Sequence, residues 1–139
     1  MNYLLDTNVI SELRKARTNK ADVRVVAWAN HVDVNALFLS VITLQELEIG
    51  VLLTERRDSA QGKRLREWLN HHVIPAFADR ILPIDALVAI QSAKFHVPDP
   101  HPVRDGLIAA TALVHGMTLV TRNVADFAST GVWILNPWE

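Results

Sequence analysis

Four acidic residues fall where a divalent cation would be gathered: Asp6 in "YLLDTN", Glu46 in "TLQELEIG", Asp105 in "VRDGL" and Asp126 in "NVADF". Carboxylates brought close together repel, by about 4 kcal/mol for unit charges about 4 Å apart at an effective dielectric near 20. A hard ion such as Mg²⁺ or Mn²⁺ relieves that repulsion, because it prefers oxygen ligands and keeps some of its waters. It can then position a water, polarise a phosphoryl oxygen and neutralise a leaving oxyanion, so the implied chemistry is on phosphate. Each acid also has a local structural reading. Thr43 and Glu46 have the T-x-x-E spacing of a capping box. Asp105 suits the positive end of a helix dipole, and Asp6 and Asp126 suit N-caps or turns. These local roles account for each acid singly but not for a shared address.

That address is set by the elements. Short β-rich runs, "YLLD", Ala36–Ser40, "RILPID", "MTLVT" and "VWILNP", alternate with helical patterns in "ADVRVVAWANHV", "TLQELEIGVLL", "AQGKRLREWLNHHVI", "DALVAIQSAKF" and "VRDGLIAATALVHG". Pro98, Pro100 and Pro102 separate the last two helices, and Gly116 closes the final one as a C-cap. Strand and helix in alternation, with connections long enough for right-handed crossovers, predict an α/β fold with a parallel sheet between helical layers. In such a sheet, residues following the strands meet at the carboxyl edge, where open α/β folds place their chemistry. Asp6, Glu46, Asp105 and Asp126 are all expected there.

The chain has 139 residues, half of them apolar and 21% charged, which predicts one ordinary globular domain over 1–139. With no cysteine, disulfides and thiolate metal sites are excluded. No apolar run approaches the roughly 20 residues of a membrane span, and the N-terminus lacks the pattern of a secretory signal, so a cytoplasmic location is expected. A net charge of -1 argues against a strong general attraction for nucleic acid. Basic residues do gather at Arg14, Lys15, Arg17, Lys20 and Arg24, and again between Arg56 and Arg66. The six histidines show no H-x-x-x-H pattern, and Trp28, Trp68, Trp133 and Trp138 read as packing residues.

The segments "LLDTNVISEL", "LSVITLQELEIG", "RDGLIAATALVHGMTLVTRNVADF" and "LNPW" together resemble the PIN-domain toxins of the VapC type, FitB-like branch, over essentially the whole chain and in family order. The resemblance implies a three-layer α/β/α sandwich with a central parallel sheet of four to five strands. It implies a Mg²⁺- or Mn²⁺-dependent endoribonuclease, acting on transfer or ribosomal RNA and leaving a 5′-phosphate and a 3′-hydroxyl. It also implies a homodimer held in a hetero-oligomer with a cognate VapB/FitA-like antitoxin. Carried over by position, Asp6, Glu46 and Asp105 match the first three metal-binding acids. For the fourth, some relatives have an aspartate where this chain has Asn123, and the acid here comes later as Asp126. Either residue completes the set in this reading, with one metal ion or two. Thr7, Asn8 and Thr121 are expected to orient the carboxylates by hydrogen bonds. Arg104 is expected either to contact phosphate or to face solvent.

Two other classes fit parts of the pattern. A haloacid-dehalogenase-like phosphatase also uses an aspartate after a strand, but needs a second acid two residues on, where this chain has Asn8. A non-catalytic module that docks RNA or protein at the sheet edge is consistent with the near-neutral charge and with Asn123.

Overall fold

The computed structural model describes residues 1–139. Five parallel strands, β1 (Tyr3–Leu5), β2 (Leu37–Ser40), β3 (Ile81–Leu82), β4 (Thr118–Val120) and β5 (Ile134–Leu135), form one sheet in the order β3-β2-β1-β4-β5. β1 lies at the centre, with Leu4 opposite both Phe38 and Leu119. Side chains alternate between the faces of a strand. Leu4 and Leu119 therefore enter a core with Ile108, Ala109, Ala112 and Phe127 on one face, while Leu5 and Val120 enter a core with Val9, Leu39, Leu47 and Val51 on the other. Burial on both faces is why the central strands read as unbroken apolar runs. Each fully buried leucine contributes roughly 1.5–3 kcal/mol.

Eight α-helices flank the sheet: α1 (Thr7–Arg14), α2 (Val23–His31), α3 (Val41–Arg57), α4 (Ser59–Trp68), α5 (Ile74–Ala76), α6 (Ala86–Ala93), α7 (Val103–His115) and α8 (Val124–Phe127). The apolar helix of the sequence is α7, which packs against α6, α3, α8 and β4, so that Gly106, Ile108, Ala109, Ala110, Thr111 and Ala112 are all buried. It ends at Gly116 in the left-handed conformation, φ 65°, as expected for a glycine cap.

Two local expectations change. α3 begins directly after β2, capped by Ser40, whose hydroxyl accepts from the Ile42 N–H at 3.0 Å. Thr43 is thus inside the helix, no capping box forms with Glu46, and Glu46 lies in the second helical turn rather than the first. The helix expected over Ala60–Ile74 is α4 continued through a π-turn, Leu69–Val73, into α5. Pro75 supplies the reason. Its missing N–H and its ring are incompatible with a regular turn, and the wider loop, closed by the Ile74 N–H on the Leu69 carbonyl, makes room.

Candidate metal and nuclease site

Because all five strands are parallel, their carboxyl ends share one edge. Asp6 follows β1, with its N–H still in the ladder on the Val120 carbonyl at 2.9 Å, and its side chain caps α1 by accepting from the Thr7 N–H at 2.8 Å. It is 6% exposed. Its other oxygen accepts from the Thr121 hydroxyl at 2.8 Å and more weakly from the Asn8 amide at 3.4 Å. Thr121 in turn accepts from the Asn123 N–H at 3.0 Å. Residues 115 positions apart in the chain thereby fix one carboxylate.

Glu46 reaches the same edge from α3. One oxygen accepts from the Thr7 hydroxyl at 2.6 Å, and the other lies 3.3 Å from Nε of Arg104. Asp105, half-buried, comes from the first turn of α7. Asp6, Glu46 and Asp105 all line one cavity of about 570 Å³, together with Thr7, Asn8 and Asn123. Asp126 does not line it. It is exposed in α8, where its N–H is bonded to the Asn123 carbonyl, and Asn123 takes the place on the cavity wall.

Electrostatics tie the acids together. Burial pushes the Asp6 carboxyl above its ordinary range, against the hydrogen bonds of Thr121 and Thr7, and the charges of Glu46 and Asp105 push the same way. Asp105 is raised chiefly by burial and then by Asp126 and Glu46, with His101 and Arg104 opposing. Asp126 therefore acts on Asp105 through space although it does not line the cavity.

The donor set suits a hard cation: carboxylate, amide and hydroxyl oxygens, with no sulfur. No three acidic or imidazole groups are yet arranged to hold an ion. Both oxygens of Glu46 are engaged, one by Thr7 and one by Arg104. Sequence reasoning had no route to Lys15, Arg122 and Trp138, which also line the cavity. Arg122 adjoins Thr121 in "TRN", but Trp138 lies 132 positions from Asp6 and is brought in only by β5.

Comparison with known proteins agrees with this architecture. The chain is 42% identical to toxin FitB of Neisseria gonorrhoeae over 145 residues, covering 98% of each protein. It is 38% identical to the VapC ribonuclease Y4jK of Sinorhizobium fredii, covering 98% of this chain and 97% of that one. Among solved structures, FitAcB from Neisseria gonorrhoeae superimposes with a TM-score of 0.86 at 38% identity over 99% of each chain. A toxin-antitoxin complex from Klebsiella pneumoniae follows with 0.70 at 25% identity, again over 99% of each. The family model for the PIN domain matches residues 3–131, and the chain belongs to the PIN-domain family.

Proposed function

We propose that this chain is the toxin of a type II toxin-antitoxin pair, an endoribonuclease dependent on Mg²⁺ or Mn²⁺ that hydrolyses RNA phosphodiester bonds in the cytoplasm. The observation that carries the reading is the convergence of Asp6, Glu46 and Asp105, from three separate segments, on one cavity at the carboxyl edge of the sheet. PIN-domain ribonucleases are generally metal-dependent. Asp6, Glu46 and Asp105 would hold the ion, with Asn123 as the neutral oxygen donor beside them; once bound, it would supply the Lewis acidity that activates water and steadies the charge on phosphate.

The protein's own contribution is placement. Thr7, Asn8 and Thr121 lock the Asp6 carboxylate into one orientation, so no side-chain reorganisation is needed there when substrate arrives. Thr7 holds one Glu46 oxygen and Arg104 pairs with the other, so Arg104 would compete with an ion for Glu46. Asp126 serves as a charge outside the cavity. A cognate antitoxin and a homodimer complete the proposal, supported by the relatives solved in complex with partner proteins and by Leu87 and Ile90, which stand exposed on α6.

Purified Asp6→Asn and Asp105→Asn variants are expected to fold, to lose RNA cleavage, and to lose the rise in Tm that Mn²⁺ gives the parent. Full cleavage by either variant would refute the assignment. The engaged state of Glu46 favours one competing reading, a non-catalytic binding module, and that reading predicts no response of the parent to Mn²⁺ at all.

A further inference from the structure

Three basic side chains stand around the acid cavity: Lys15, Arg104 and Arg122. Two have carboxylate partners, Lys15 on Glu12 at 3.4 Å and Arg104 on Glu46 at 3.3 Å. Arg122 forms no ion pair, and none of its side-chain N–H groups is bonded within the protein. Its guanidinium carbon instead lies 5.4 Å from the centroid of the Trp138 ring. Trp138 is a fixed platform, 7% exposed, packed into the core beneath the sheet, with its backbone N–H on the Asn136 side chain at 3.0 Å. The main chain of Arg122 is tied as well, through its N–H to Oδ1 of Asn8 at 3.4 Å. An exposed arginine beside several acids would ordinarily fall onto one of them; this one is held away on an aromatic face, with its donors free.

We propose that Arg122, seated on Trp138, binds an RNA phosphate neighbouring the one that is cut, anchoring the strand across the cavity. The inference rests on the ribonuclease reading above. A guanidinium offers paired donors that match phosphate oxygens, and an aromatic platform holds it in place before the ligand arrives. The Asn8 contact couples this anchor to the residue that also bonds Asp6, so the spacing from the anchored phosphate to the carboxylates is set by the fold. With a net charge of -1, the chain has no broad positive field to draw RNA in, which puts the burden on a few placed cations.

The test uses the full chain carrying Asp6→Asn, so that the RNA stays intact, and measures binding of a short single-stranded RNA across a salt series. Adding Arg122→Ala is expected to weaken binding about ten- to a hundredfold, the scale of a charge-assisted hydrogen bond. The slope of log affinity against log salt should shrink by about 0.7, the value for one phosphate contact on a single strand. Arg122→Lys should restore the slope but not the full affinity. In a scan with single methylphosphonate linkages, neutralising one linkage should weaken the Asp6→Asn protein and leave the Arg122→Ala double variant unaffected. Equal affinity and slope with and without Arg122, or a loss spread evenly over all linkages, overturns the proposal. Absence of RNA cleavage by the parent with Mn²⁺ would instead sink the ribonuclease reading, and continued cleavage by Asp6→Asn would sink only the metal assignment, so these failures are separable from that of the anchor.

Discussion

Replacing Arg104 with glutamine should tighten divalent-ion binding, an unusual direction for a mutation inside a proposed active site. The Arg104 Nε lies 3.3 Å from Glu46, on side chains that are 53% and 23% exposed. At that distance a bare ion pair gains about 5 kcal/mol at an effective dielectric of 20 but only about 1.3 kcal/mol in bulk water. With the arginine more than half in solvent, screening wins, and the net strength is about 0.2–1 kcal/mol. An ion that recruits Glu46 must first break this contact, and removing it returns that free energy to binding as a gain of up to about fivefold. Deleting a positive charge from the cavity wall acts in the same direction. Calorimetric titration with Mn²⁺ measures the effect directly, and the metal-free Arg104→Gln protein should lose no more than about 3 °C in Tm. Unchanged or weaker Mn²⁺ binding by Arg104→Gln would refute the competition between arginine and ion.

Other expectations follow from the same geometry. Burial raises the Asp6 carboxyl above its ordinary value, so the stability it contributes is fully present below the ordinary carboxylate range and is lost as pH climbs through the raised value. Metal-free Asp6→Asn should therefore gain on the parent progressively between about pH 4 and neutrality, a difference of Tm curves in which Asp22, lowered to about 2, and Glu48, also lowered, cancel. A constant difference across that range would contradict the burial argument. Thr121→Val removes the hydroxyl that supports Asp6 and should cost roughly 1–3 kcal/mol in urea unfolding, with Mn²⁺ binding weakened more at pH 6 than at pH 8. Gly62→Ala would drive a methyl group into the Glu55 backbone where α4 crosses α3, and should destabilise by more than about 2 kcal/mol while leaving the cavity residues untouched.

The sequence was most legible where one force dominated. The apolar runs of β1 and β4 and the near-continuous apolar surface of α7 announced burial on all sides, and Gly116 marked where the helix must stop. The acids at strand ends were legible because a parallel sheet leaves them one edge to share. Less legible was anything decided by competition between neighbours. Thr43 offered a cap, yet Ser40 took the role because β2 runs straight into α3, freeing Glu46 to reach Thr7 and Arg104. Asn123 and Asp126 differ in which faces the cavity only because α8 turns between them, a matter of a few backbone angles that no residue type dictates. The strand in "VWILNP" was legible, but the pairing of Arg122 with Trp138 depends on how the turn after β5 carries that ring back beside "TRN".

The central position of β1 has a consequence for synthesis. Its partners are β2, made soon after it, and β4, translated long after both. Thr121, which locks Asp6, emerges later still, and Asp105 arrives only shortly before. A growing polypeptide therefore cannot close the pocket around Asp6 until the segment through Thr121 has left the ribosome, and a product truncated before it lacks the hydroxyl that holds that carboxylate.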